Sequence, residues 1–557
     1  MCIGLVILLL SRQVQPVQAA APVDGYLLTG SLLDSQTQPI AAATIEVVTA
    51  VDGPPLAVTE SQDSGEWSLV IPEVPSQNFQ VTISRHHFAA QTLVIDNDAR
   101  AQLANSGIYR VGSLTLHRQI DASFWVATAV FLGVLLLIAF EKLHSTTAAL
   151  TGLSAVMLAT FLGEAVWEPL YIFSFERALH YINWEVIFLV MAMMTIIAII
   201  EETGIFQWMA FQAYRLSRGH SWLLVLVLMG VTAVASALLD NFTTMLLMTP
   251  ISLQIGLALG INPLAFIIPE VLASNIGGIS TLIGTPTNIL IGAYADIGFT
   301  DFLANQTAGV IVALVAAGGY VIFHYRAEWR KASGGISPRL YARLQQNASI
   351  EDSAALLKAG IVFLLVLVGF VVGEQYHIVP AVPALIGATA LLIWLKPDIN
   401  AMIKAVDWTT LVFFMALFIV VGAVQEVGLI SMIADGISRL VGSNLVLAIF
   451  VMVFGVGTLS TAIANIPLAA SMLPVAEFLT GSVPGGSSKV LYYALSMGAA
   501  MGGNGFLVGA EANLVTAGIT EQAGSPISFK EFLKIGLPVT YLTLLVGFVW
   551  LLIRFVW

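Results

Sequence analysis

The chain of 557 residues has a single cysteine, Cys2, and only 10% of its residues are charged. One cysteine excludes an internal disulfide and any paired-cysteine metal centre. The adjacent His86 and His87 point to opposite faces if the segment is a strand, so structural zinc is not expected. Positive charge is scarce, with 22 Lys and Arg against 34 Asp and Glu, which leaves no basic face for nucleic acid. No nucleophile, His/Asp pair or HExxH pattern stands on an apolar stretch, so nothing points to an enzyme. What is abundant is apolar sequence: 58% hydrophobic residues and a mean hydropathy of +0.89 mark a polytopic membrane protein.

The first apolar run, Ile3 to Leu10 (IGLVILLL), is too short to span a bilayer. The small residues VQAAA follow it, Val17 to Ala21, so residues 1–20 read as a signal peptide cleaved near Ala19, although the usual positive flank is missing. From 22 to 118 the character changes. Short alternating runs (TIEVV, EWSLVI, FQVTI, QTLVI) are separated by turn clusters such as VDGPP and QDSG, which predicts a small all-β sandwich. G-x-L-x-D, PIAAATIEVV and TESQDSGEWSLVI within it resemble the carboxypeptidase-regulatory or transthyretin-like domain, which implies a lid, assembly or ligand-binding module.

Beyond Asp121 apolar segments follow closely: 122–141, 145–163, 184–200, 221–258, 264–295 and 306–325, then 355–373, 380–395, 409–424, 443–480, 487–518 and 535–556. Several are too long, or too polar at their centres, to be simple spans. A shift of 224 positions superposes Trp184 on Trp408, Glu202 on Glu426, Gly204 on Gly428, Arg215 on Arg439, Asn241 on Asn465 and Pro250 on Pro474. After one inserted residue, Gly277 and Gly278 fall on Gly502 and Gly503, and Asn288 on Asn513. Matches of Trp, Glu, Arg, Asn and Pro at a constant offset indicate duplication, with one repeat over 122–326, a linker over 327–353 and a second repeat over 354–557.

Basic residues fix the expected orientation. Arg215, Arg218, Arg326, Arg330, Lys331, Arg339, Arg343, Lys396, Lys404, Lys530 and Lys534 belong in the cytoplasm, with the β-domain exported across a bacterial inner membrane. The first half then crosses an odd number of times if 221–258 is a re-entrant hairpin and 264–295 one broken span. The second half repeats this upside down, the signature of a secondary transporter with its site at the midplane.

The hairpin SALLDNFTTMLLMTP places Asp240, Asn241, Thr243 and Thr244 where lipid cannot satisfy them. In the second copy, TAIANIPLAASMLP, Asn465 stands two residues before Pro467 and is expected to cap the returning arm; by register Asn241 caps the first. Capping and ligation therefore both remain open for the asparagines. Asp240 has Ala464 as its counterpart, so the architecture does not require a carboxylate there. A central acid costs on the order of 3 kcal/mol. Its expected position at the carbonyl end of the entering arm also disfavours the ionised form. Asp240 is read as a proton or sodium site, the alternative being a carboxylate satisfied by hydroxyls.

In ASNIGGISTLIGTPTNIL, Gly277 and Gly278 are expected to interrupt the helix and Gly284 to permit an unwound turn, with Thr285 and Pro286 restarting it. The restart directs free N–H groups inward, and Asn275, Ser280, Thr281, Thr287 and Asn288 surround it with neutral oxygens; glycine kinks serving packing alone are the other reading. The second copy, GGNGFLVGAEANLV, offers Asn504, Glu511 and Asn513. Glu511 sits in a first helical turn, where the dipole favours an acid whatever its role. Glu270 is a further intramembrane acid, and the repeated Glu202 and Glu426 read as structural.

With these motifs, and ETGIFQWMAFQAYRLSRG, in view, the roughly 430 residues from Phe124 onward resemble the ion transporter superfamily, in its arsenite-permease-like and melanosomal P protein branch. The plan is more distantly similar to sodium/dicarboxylate cotransporters and D-type sodium/proton antiporters. The resemblance implies a homodimer with a static scaffold and a transport unit that moves as a body, elevator fashion. It places ion and substrate sites at Asp240, Asn241, Thr243, Thr244, Asn275, Thr285, Thr287, Asn288, Asn465, Asn504 and Asn513, to which the reading of the breaks themselves adds Gly278, Thr281 and Glu511 as candidates. Asp240 departs from the neutral tips of the dicarboxylate branch, and Glu511 from the small residue of the P-protein branch. Three functions follow as expectations: a transporter of a small anion or oxyanion coupled to sodium or protons at Asp240, a sodium/proton antiporter, or a passive anion pathway. No cofactor is implied beyond a coupling sodium, and no partner beyond lipid and a second copy.

Overall fold

A computed structural model describes residues 25–557 except 36–37, 50–53, 141, 219, 332–349 and 351. The signal-peptide reading of residues 1–20 and most of the 327–353 linker, with Arg339 and Arg343, lie outside the described residues. The chain forms two compact units, Met1–Asp121 and Ala122–Trp557.

Unit one is the expected sandwich. Its strands are β1 (Tyr26–Asp34), β2 (Thr44–Val48), β3 (Ala57–Glu60), β4 (Glu66–Ile71), β5 (Phe79–Ser84), β6 (Gln91–Ile95) and β7 (Ile108–Leu116), with α1 (Asn97–Ser106) before β7. They make sheets of order β4-β1-β7 and β3-β2-β5-β6. Strict alternation along β4 and β5 buries Trp67, Leu69, Ile71, Phe79, Val81 and Ile83 in one core. Gly30 is bare because the Trp67 ring lies 2.8 Å from where its Cβ would stand. His86 and His87 are not in a strand but in the turn after β5, with His87 at φ 69° and buried, its Nδ1 3.5 Å from Asp121.

In unit two the first half comprises α2 (Ala122–Ala139), α3 (Ser145–Ala165), α4 (Phe175–His180), α5 (Trp184–Glu201), α6 (Ile205–Leu216), the hairpin α7 (Ser221–Leu238) and α8 (Asn241–Leu259), the broken helix α9 (Leu264–Gly277) and α10 (Pro286–Ala295), and α11 (Phe299–His324). The second half repeats this order with α12 (Ser353–Gln375), α13 (Ala381–Leu395), α14 (Trp408–Glu426), α15 (Leu429–Val441), hairpin α16 (Leu445–Ala462) and α17 (Asn465–Ser482), broken helix α18 (Val490–Gly502) and α19 (Glu511–Gln522), and α20 (Phe529–Phe555). Among the described residues, ten helices are long and apolar enough to cross a membrane. The amphipathic pair α6 and α15 follows Gly204 (φ 79°) and Gly428 (φ 94°), left-handed positions that glycine fills without strain. The matched glycines thus turn the chain at equivalent points.

The repeats interlock. Helix α5 of the first half packs on α13 of the second, and α14 of the second packs on α3 of the first. These helices, with α2 and α12, form one group. In the other group the hairpin arm α8 packs on α19 and α17 on α10, so each hairpin leans on the broken helix of the opposite repeat, while α11 lies along α20.

Candidate functional site

The entering arm of the first hairpin ends at Leu238, and the returning arm starts one residue earlier than expected. Asp240, not Asn241, is the N-cap of α8: its Oδ1 accepts from the Thr243 N–H at 2.7 Å and its Oδ2 from the Thr243 hydroxyl at 2.7 Å. In the second hairpin Ala464 holds the cap position without a side-chain bond, and Asn465 is the first helical residue. Both asparagines are therefore released from capping. Asp240 faces the positive end of α8, so the dipole favours its charge rather than opposing it. The carboxylate is buried, with hydroxyl and N–H partners around it.

The freed Asn241 amide reaches across to the broken helix, its Nδ2 donating to Asn275 Oδ1 at 2.9 Å. Asn275 in turn donates from Nδ2 to Asn504 Oδ1 at 2.9 Å and to Asn513 Oδ1 at 3.0 Å. One side chain thus ties the first tip and the first break to the second break.

At each break an asparagine stands in for lost backbone partners. Asn288 Nδ2 donates to the carbonyls of Thr281 (2.8 Å), Ile279 (3.1 Å) and Gly278 (3.4 Å). Its counterpart Asn513 donates to the carbonyls of Gly503 (2.8 Å) and Phe506 (3.0 Å). The unwound carbonyls are thereby satisfied within the protein. Thr285 caps α10, its Oγ1 accepting from the Asn288 N–H at 3.1 Å with Pro286 first in the helix, as expected. Thr281 donates its hydroxyl to the Ala237 carbonyl and accepts from the Gly284 N–H at 3.1 Å.

Glycine acts here through close approach rather than torsion. Gly277 and Gly278 keep right-handed helical angles, φ −63° and −57°. A Cβ at Gly277 would stand 2.5 Å from the Ala233 Cα, and one at Gly278 2.5 Å from the Gly284 carbonyl oxygen. The break itself comes where α9 passes through a single 3-10 turn, Gly278–Ser280, and then becomes extended at Thr281.

Two hydroxyls in this region lack partners: Thr244 Oγ1 in the first turn of α8 and Thr287 Oγ1 in the first turn of α10, both side chains buried. An unbonded buried hydroxyl costs on the order of 1–3 kcal/mol. Both sit beside helix N-termini, which favour anionic groups.

A cavity of about 580 Å³ reaches this region, lined by Phe242 and Ala464 of the two tips and by Glu511 of α19. Asp407 and His144 line it toward the starts of α14 and α3. Asp407 was not singled out from sequence. It caps α14 as Asp240 caps α8, accepting from the Thr410 N–H at 3.1 Å and hydroxyl at 2.6 Å. The shared D-x-x-T spacing was the available signal. Asp407 and Glu511 line the same cavity, and Asp240, two residues before its lining residue Phe242, lies within electrostatic range of both. A second cavity, about 220 Å³, lies at the equivalent place in the inverted repeat, lined by Glu185 and Leu189 of α5, Ile289 of α10 and His377 between α12 and α13. Neither hairpin tip lines it.

Glu202 is exposed, whereas Glu426 is partly buried: the Tyr181 hydroxyl donates to it and Arg177 Nε lies 3.8 Å away. Glu270 is wholly buried in α9.

Residues 135–485 match the family described as citrate transporter. The chain is 36% identical over 435 residues to a 46 kDa membrane protein of Mycobacterium leprae, covering 77% of this chain and 98% of that one. It is 30% identical over 574 residues to the human P protein, covering 89% of this chain and 67% of that one. The fold is similar to that of MtrF from Neisseria gonorrhoeae, with a TM-score of 0.50 at 11% identity over 79% of this chain and 96% of that one.

Proposed function

Because the chain belongs to the citrate transporter family, a family of membrane transporters and not of enzymes, we propose that it carries a small anion by secondary transport, with protons or sodium as the coupling ion. The observation that carries this reading is the presence of two complementary sets of groups at the tips and breaks. Asp240, Glu511 and Asp407 offer negative oxygens for a cation. The N-termini of α8 and α10, with the unbonded Thr244 and Thr287 hydroxyls, offer donors for an anion. A bound cation would relieve repulsion among the acids, and an anion beside it would bring compensating charge. Each ligand therefore favours the other, which is what cotransport needs.

Movement follows from the two cavities. Repeat symmetry places them at opposite ends of the membrane unit, and only the larger one touches the tips. Exchange of that asymmetry, by sliding the hairpin and broken-helix group against α2, α3, α5, α12, α13 and α14, would expose the tips alternately to either side. The basic residues Arg215, Arg326, Lys404 and Lys534 support a reading in which the larger cavity faces the cytoplasm across an inner membrane with the β-sandwich outside, and the family resemblance supports a homodimer.

One observation favours sodium/proton exchange as a second reading: the ionisable residues lining the larger cavity are His144, Asp407 and Glu511, with no lysine or arginine among them. Proteoliposome flux separates the two. Uptake of labelled citrate or phosphate that collapses with the proton or sodium gradient supports cotransport. Proton movement driven by sodium alone, without any anion, establishes the exchanger instead. Anion uptake indifferent to both gradients rules coupling out.

A further inference from the structure

The carboxyl of Glu270 lies 2.6 Å from the Ser252 hydroxyl of α8 and 3.5 Å from the Thr232 hydroxyl of α7, with no exposure to solvent. Three helices thus converge their polar groups on one point between the hairpin arms and the broken helix. The helices packed on α9 are α7, α8, α11, α18, α19 and α20. Helices α7 and α8 contain no ionisable residue. The others contribute Asp301, Tyr320, His324, Tyr492, Tyr493, Glu511, Glu521, Lys530, Glu531, Lys534, Tyr541 and Arg554. Among the described residues the hydrogen-bond partners of Glu270 are the two hydroxyls.

The repeat supplies the second observation. At the equivalent positions of the second half stand Val456, Ala476 and Leu495, all buried. The same packing is therefore achieved with no polar atom, so the fold does not call for an acid here. An intramembrane acid that packing does not require marks an ion or proton pathway. Hydroxyls alone cannot neutralise a carboxylate, but they accept and donate equally well to a carboxylic acid.

We propose that Glu270, Ser252 and Thr232 form a proton-binding site distinct from the tips, which carries a proton through the transport cycle. Water brings the proton to the carboxylate, one O–H bond forms, and the same bond breaks when the proton returns to water on the other side. The two hydroxyls hold the carboxyl in either form by rotating their own O–H bonds. This rests on the coupled-transport reading above.

The test compares the full-length protein with Glu270→Gln and with the triple variant Thr232→Val, Ser252→Ala, Glu270→Leu, which reproduces the apolar packing of the second repeat. In proteoliposomes with a pH-sensitive dye, both variants are expected to move fewer protons per labelled anion than the parent. Infrared difference spectra taken as pH is stepped, or on adding anion, are expected to show a carboxylic-acid carbonyl band that Glu270→Gln removes. Unchanged proton movement in both variants overturns the proposal, as does a Glu270 band that stays constant across pH and ligand, which marks a permanently protonated structural group. A parent that transports anion without moving protons overturns this site while leaving sodium coupling at Asp240 standing. Proton movement lost in Asp240→Asn but kept in Glu270→Gln sinks only the Glu270 assignment.

Discussion

Asn275 and Asn504, 229 positions apart, are joined by an Nδ2 to Oδ1 hydrogen bond of 2.9 Å. The bond crosses between the repeats, and Asn275 has no polar counterpart: its equivalent is Ala500. The second copy supplies Asn504 instead, where the first has Ile279. Duplication therefore set the frame, and later divergence built one asymmetric linkage inside it.

That linkage gives the first prediction. Asn275→Ala strands the Asn241 donor and two acceptors, Asn504 and Asn513, in a buried site. Each stranded group costs about 1–3 kcal/mol. The variant is expected to unfold at lower temperature and to lose flux, both measured in detergent and proteoliposomes. Unaltered melting would mean that the three asparagines are satisfied independently.

Asp240 combines two roles that substitution separates. Asn keeps the Oδ1 acceptor for the Thr243 N–H, so Asp240→Asn is expected to fold with melting close to the parent. Asp240→Ala removes the cap as well and should cost a further 0.5–2 kcal/mol, roughly the worth of an N-cap. Both should flatten the pH dependence of transport to whatever Glu270 alone contributes, because the carboxyl at the tip is gone. A pH profile unchanged in Asp240→Asn would remove Asp240 from the coupling site.

How much of this was legible in the sequence depended on range. Both hairpins and both breaks were readable because Asn, Gly, Pro and Glu interrupt apolar runs at a constant offset. The cap was misplaced by one residue because Asp and Asn cap almost equally well, and the choice between Asp240 and Asn241 depends on where the entering arm ends. Asp407 escaped notice because it precedes an ordinary span as any cap would; only the packing of α14 on the first repeat brings it to the tips. The glycines were assigned to torsion, yet what they permit is contact between α9 and Ala233 of α7, a tertiary fact with no local signature.

Those contacts predict unequal tolerance at matched positions. Gly278→Ala puts a Cβ 2.5 Å from the Gly284 carbonyl oxygen, where backbone must move. Gly503→Ala meets the Gly509 oxygen at 3.1 Å and the Ala510 Cβ at 3.2 Å, a displacement of a few tenths of an ångström. The first variant is expected to fail to reach the membrane folded. The second should be recovered with melting lowered by an amount consistent with overpacking, about 1–3 kcal/mol. Equal yields of the two would show that the first break relaxes freely.

The unbonded threonines supply the sharpest separation of stability from function. Thr244 and Thr287 bury hydroxyls that have no partner within the described residues. Thr→Val keeps the shape and removes an unsatisfied group, so Thr244→Val and Thr287→Val are expected to melt at or above the parent temperature. If these hydroxyls receive the transported anion, the same substitutions must weaken it. A lost hydrogen bond to a charged group is worth about 1.5–3 kcal/mol, which is roughly a ten- to hundredfold rise in half-saturation. The check is a thermal shift titrated with the transported anion: higher starting stability together with a smaller ligand-induced shift places the anion at the two hydroxyls. A parental shift in both variants would leave the helix N-termini without their assigned ligand.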